Sequence, residues 1–164
     1  MTIYLDGDSL EAELRALLAR RALAEAQRAA AAGKEPRFSL RAVSARPLRL
    51  PGGIECIAVE AGPDAADNRI VELALPGDLA VTRDIPLAER LVKKGIVVIN
   101  DRGDVFSAEN VAERRSLRDD AVQLRSLGLA PESPRGRSWG EKEKKRFADA
   151  LDREMSKLLA ARHA

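Results

Sequence analysis

The order of apolar runs predicts an α/β fold: a mostly parallel sheet of about five strands, flanked by helices, with a helical C-terminal tail. Three observations predict it. Short β-branched runs such as IECIAVEA and IVVIN alternate with longer segments whose leucines recur at helical spacing. Glycine, proline and aspartate punctuate the joints. At 164 residues and 45% hydrophobic content, the chain can build one substantial core.

In chain order, Thr2 to Leu5 reads as a first strand. Leu10, Leu14, Leu17 and Leu18 then mark a helix from Ser9 to about Ala32, with Gly33 as its stop. RFSLRAVSA, residues 37–45, reads as a second strand, and RPLRLPGG as a loop. Residues 54–61 read as a third strand, with Cys56 as a small core residue inside it. Pro63 opens a short helix with Ile70, Val71 and Leu73 on its apolar side. Residues 79–82 form a fourth strand, followed by DIPLAERLVKKG, a helix with Pro86 near its start and Gly95 at its end. Residues 96–100 form the fifth strand, and DRGD is a turn. Ser107 caps a helix running towards Gly128, with a break expected near Ser116. Residues 141–160 make a final amphipathic helix carrying Phe147, Leu151, Met155 and Leu158. The expected division is an α/β domain over 1–130, with the loop and helix of 131–164 packed on it or extending it.

The totals narrow the function classes. A net charge of +2 does not mark a dedicated nucleic-acid binder, although local patches remain open. The lone cysteine excludes an internal disulfide and a C-x-x-C metal site, and suits a reducing cytoplasm. Acids near the N-terminus argue against a signal peptide, and no apolar run approaches a membrane span. There is no G-x-G-x-x-G or Walker loop. His163, the single histidine, lies near the end of the chain, so Ser/His or Cys/His chemistry is not expected.

Ligands of open α/β sheets sit beyond the carboxyl ends of strands. Asp6 and Asp8 follow the first strand, Asp84 follows the fourth, and Asp64 and Asp67 share a helix face after the third. Each has an ordinary alternative: Asp8 or Ser9 capping the first helix, Asp84 capping the fourth-strand helix, and the 64/67 pair complementing a helix dipole. Asp101 and Asp104 read as turn residues. If the first and fourth strands are neighbours, five aspartates meet on one rim. Two bare carboxylates 4 Å apart repel by roughly 4 kcal/mol at an effective dielectric of 20. Hard divalent cations, Mg²⁺ or Mn²⁺, relieve such clusters and support phosphodiester hydrolysis.

YLDGDS, GPDAADNRIVE, VTRDIPLAERLVKKG, VINDRG, LRDDAVQLRSLG and RFADALD, in that order, resemble the bacterial YaiI/YqxD family. That family is similar in pattern to PIN-like nucleases. The resemblance implies a single PIN-like domain that binds Mg²⁺ or Mn²⁺ and cleaves RNA. By position it implies Asp6, Asp8, Asp64, Asp67 and Asp84 as metal residues, with Asp6 and Asp84 catalytic and Thr82 orienting the acid beside it. Two departures stand out. SLEAE replaces the family's usual Cys-Pro after the first acids, and Ala45 stands where an asparagine is common.

Other constellations compete. YLDGDS also fits the D-x-D opening of haloacid-dehalogenase-type phosphatases, but D-A-A-D and T-R-D-I-P-L-A have no place in that scheme. RGRSWGEKEKKR holds six basic and two acidic residues around Trp139. Arg135, Arg137 and Trp139 are therefore candidates for gripping and stacking nucleic acid, against a solvated helix start with an anchoring tryptophan. Arg83 either meets a phosphate or pairs with a neighbouring carboxylate. The leading expectation is a cytoplasmic metal-dependent ribonuclease. The alternative is a non-catalytic PIN-like domain that binds nucleic acid or protein.

Overall fold

A computed structural model describes residues 1–129 and 139–162. Arg135, Arg137 and His163 lie outside the described residues. The strands are β1 (Thr2–Asp6), β2 (Ser39–Ser44), β3 (Ile54–Ala58), β4 (Leu79–Val81), β5 (Val97–Ile99) and β6 (Val105–Phe106). The helices are α1 (Ala12–Ala31), α2 (Ala65–Leu73), α3 (Ile85–Lys93), α4 (Ala108–Ser126) and α5 (Glu141–Ala161).

The six strands lie in the order β3-β2-β1-β4-β5-β6. The first five pair in parallel, and β6 closes the edge antiparallel to β5. The expected α/β class and mostly parallel sheet therefore hold, with one strand more than expected. The chain builds β1, β2 and β3 in one direction. It then crosses back to lay β4 on the other side of β1, with Leu5 opposite Val81. The strand order reverses at β1/β4, which leaves a crevice beyond their carboxyl ends.

Alternation along the strands sorts the core into two layers. Ile3, Leu5, Leu40, Leu79 and Val81 face α1 and α5, where Leu14, Leu18, Phe147, Leu151 and Met155 meet them. Tyr4, Val43, Ala80 and Val98 face the other side, against Ile70 of α2, Leu87 and Leu91 of α3, and Val111 of α4. Phe147 and Leu151 are buried, so α5 packs on the domain.

Several local expectations are corrected. β3 stops at Ala58, and Cys56 is exposed because β3 is the outer strand of the sheet. Pro63 precedes α2, whose first residue is Ala65. α4 runs through Ser116 unbroken. Ser107 does cap α4: its hydroxyl accepts from the Asn110 N–H, and the Asn110 side chain accepts from the Ser107 N–H.

Candidate functional site

The crevice begins with Asp6, the last residue of β1. The residue is 3% exposed. Thr82, just past β4, donates its hydroxyl to Asp6 Oδ2 at 2.7 Å. The same hydroxyl accepts the Asp84 N–H at 2.9 Å. One buried threonine therefore ties both strand-end acids together, and β1/β4 pairing puts it there. Asp84 Oδ1 in turn accepts the Leu87 N–H at 2.9 Å and caps α3.

Asp64 and Asp67 approach from α2. Asp64 stands at the N-cap position with φ 52° and makes no side-chain cap. A non-glycine residue in this region is uncommon. Asp67 lies in the first turn, half-buried. Burial raises its pKa to about 6, and the charges of Asp6, Asp84 and Asp64 push the same way. Arg90 opposes, and its guanidinium also donates to Asn68. The structure therefore brings Asp6, Asp64, Asp67 and Asp84 into one negative field. Even so, among the described residues no three acidic, histidine or cysteine side chains are grouped closely enough to hold a metal ion as they stand.

Asp8 belongs to a different neighbourhood. Its carboxylate accepts from Ser44 Oγ at 2.6 Å and from the Ala45 N–H at 3.1 Å, with Arg46 nearby at 3.9 Å. It pins the β1 end to the β2 end and does not cap α1. Ser9 does not cap α1 either, since the position before that helix is Glu11 and no side-chain cap forms there. Gly7 between the two acids is required by space. A Cβ there would meet Leu48 Cδ1 at 2.5 Å and Val43 O at 2.8 Å.

Arg83 takes the pairing alternative. It lies 3.2 Å from Glu11 and 3.6 Å from Asp101. Asp101 lies in a turn past β5, as expected, and is buried. Asp104 is a structural turn acid, held by Asn100, Arg114 and Arg146. Trp139 is anchored: its indole N–H donates to Asp101 O at 2.7 Å, and its ring meets Phe147 edge-on. Beyond that turn a cleft of about 510 Å³ is lined by Gly103, Lys142, Lys145, Arg146, Asp149 and Arg153. Neither Lys142 nor Lys145 pairs with a carboxylate among the described residues.

Among the described residues no helix is long and apolar enough to cross a membrane. No solved structure matches the chain. A family model described as "Uncharacterized BCR, YaiI/YqxD family" matches residues 24–157. Similar relatives include a UPF0178 protein of Treponema pallidum (strain Nichols), 46% identical over 97% of this chain and 84% of the relative. A UPF0178 protein of Myxococcus xanthus (strain DK1622) is 40% identical over 97% of both chains. With its motifs in family order and its relatives matched nearly end to end, the chain belongs to the YaiI/YqxD (UPF0178) family.

Proposed function

We propose that the β1/β4 crevice binds Mg²⁺ or Mn²⁺ through Asp6, Asp64, Asp67 and Asp84 and hydrolyses RNA phosphodiesters, within a PIN-like domain. The observation that carries this reading is the excess of negative charge at the strand switch point. Asp67 is raised to about 6 by burial and three other aspartates, with Arg90 opposing. Oxygen-only donors of this kind suit hard divalent cations. Closing a complete ligand set requires Asp64, Asp67 and Asp84 to turn towards Asp6, so affinity without substrate is expected to be weak. When bound, the cation supplies charge neutralisation to the scissile phosphate and acidifies water beside it.

The chain's own residues do the rest. Thr82 fixes the Asp6 carboxylate, so one ligand is oriented in advance. Asp67, held protonated towards neutrality by burial and its acidic neighbours in the metal-free crevice, would release that proton when the cation binds. Lys142 and Lys145 offer the phosphate backbone charge beyond the Asp101 turn. Asp8, turned towards Ser44 and Ala45, leaves the phosphatase reading without its second acid. The Asp84 cap on α3 is the feature that favours a purely structural role and a non-catalytic binding domain.

Single-stranded RNA cleavage with and without Mn²⁺, on wild type and Asp6→Asn, tests the proposal. The expected result is metal-dependent cleavage that the variant loses by at least about 100-fold, the lower end of acid–base and positioning effects. Equal cleavage by both proteins removes Asp6 from the chemistry.

A further inference from the structure

A second cleft opens beside β2 and β3, next along the rim from the aspartate crevice. It holds about 430 Å³ between the 44–48 loop and the outer strand, where Cys56, Ala58 and Val59 line it. Ligand sites commonly fall between about 300 and 1,000 Å³. The cleft and the crevice share a wall. Leu48 packs against Gly7, between the first two acids, and Asp8 holds Ser44 and Ala45. Pro47, Leu48, Ala58 and Val59 make the walls largely apolar, and no acid lines the cleft among the described residues. Arg46 is the charged side chain of the lining. It is 79% exposed and lies 3.9 Å from Asp8. Arg49 is exposed on the same connection and pairs with no carboxylate among the described residues. Every lining residue lies within 44–59, a continuously described stretch. That stretch sits at the opposite side of the sheet from the β5 turn that anchors Trp139.

We infer that this cleft takes an unstacked nucleobase of a single-stranded RNA whose scissile phosphate occupies the crevice. The substrate class rests on the nuclease reading above, and the chemistry of the cleft narrows it to a single strand. Single-stranded RNA is read by splaying bases out and stacking them on aromatic rings or arginine guanidinium planes. No aromatic residue lines this cleft among the described residues, and Arg46 supplies the plane. The apolar walls suit the faces of a base, and its edge needs hydrogen-bonding groups. The outer strand has them. Val59 N–H bonds back to Ser44 O at 3.0 Å. Alternation along β3 therefore turns the N–H and C=O of Cys56 and Ala58 away from β2, towards the open edge of the sheet. Each offers a donor beside an acceptor. A base already paired in a duplex has its edge and its faces engaged, so it cannot enter. β1 and β3 are two strand spacings apart, about 10 Å, so the base belongs to a nucleotide close to the scissile bond. Arg49 is then placed to neutralise a neighbouring phosphate.

Cys56, the single cysteine, reports on the cleft directly. The test is maleimide labelling of the full chain carrying Asp6→Asn, without metal. It is run alone, with a mixed-sequence single-stranded oligoribonucleotide, and with the duplex of the same sequence, while anisotropy follows binding. At about ten times Kd the single strand should slow labelling about 10-fold by mass action. The duplex at equal occupancy should leave labelling unchanged. Arg46→Ala in the same background should weaken single-strand binding about 5-fold or more, the lower end for losing a stacked base, with an unchanged far-UV spectrum. A bound single strand that leaves labelling unchanged, a duplex that protects equally, or an Arg46→Ala variant that binds undiminished overturns the inference. So does the absence of single-strand binding. Protection of Cys56 in a protein whose wild type fails to cleave RNA with Mn²⁺ would instead retire the nuclease reading and leave the cleft standing.

Discussion

Burial and its acidic neighbours push the Asp67 carboxyl up, and the sign of that shift makes a stability prediction. Its pKa rises from 3.8 to about 6, so the folded state holds a proton that the unfolded state has released across that window. Folding stability contributed by this group therefore falls as pH climbs from about 4 to about 6, and the penalty is fully present above that. Asp67→Asn removes the penalty. Thermal melts should show the variant gaining over wild type at pH 7.5 and gaining less at pH 5. An equal gain at both values would mean that Asp67 carries no such strain. At this scale the sequence reading put Asp6 at the end of β1 and Asp84 just past β4, because chain position relative to a strand end is a local property; Asp64, read as part of the first helical turn, instead precedes α2 in a left-handed conformation. That reading could not aim Asp8. Its partner Ser44 lies 36 residues away, and only β1/β2 pairing reveals the bond.

Among the elements, α5 shows what periodicity can and cannot supply. The spacing of Phe147, Leu151 and Met155 gave the apolar face, but not the surface it covers. That surface is α1 and the inner side of β1, β4 and β5. Phe147 is fully buried and sits where α5 meets the β5–β6 turn, so close that a Cβ on Gly103 would lie 2.6 Å from Arg146 O. With φ +79°, Gly103 also occupies a conformation open mainly to glycine. Phe147→Ala should cost about 3–5 kcal/mol in urea denaturation. That is a large part of the stability of a typical domain. A loss below about 1 kcal/mol would mean that α5 is only loosely docked. β6 escaped the sequence reading because two residues carry no period. Cys56 was misplaced because an apolar run does not say whether its strand is central or at the edge.

For the whole molecule, strand order decides which acids meet. Asp6 and Asp84 are far apart in sequence, and they share Thr82 only because β4 returns to lie beside β1. No sequence pattern contains that pairing, since it follows from how non-consecutive strands assemble. The same topology sets an acidic crevice next to a basic cleft. Asp84 adjoins Arg83, Arg83 reaches Asp101, and the turn after Asp101 opens on Lys142 and Lys145. A net charge of +2 gives little long-range attraction for a polyanion, so the RNA binding proposed above would have to rest on this local patch. If RNA lies along it, each phosphate neutralised adds about 0.7 to the slope of log affinity against log salt for a single strand. Lys142→Ala/Lys145→Ala should then lower that slope by about 1.4. It should also weaken binding to unrelated sequences alike, because phosphate contacts carry no sequence information. Fluorescence anisotropy between 50 and 200 mM salt measures both effects. Asp6→Asn serves as the contrast: it removes charge that repels RNA, so it should bind at least as tightly as wild type while failing to cleave. A double lysine variant with an unchanged salt slope would place the RNA path elsewhere on the molecule, whatever the fate of the aspartate chemistry.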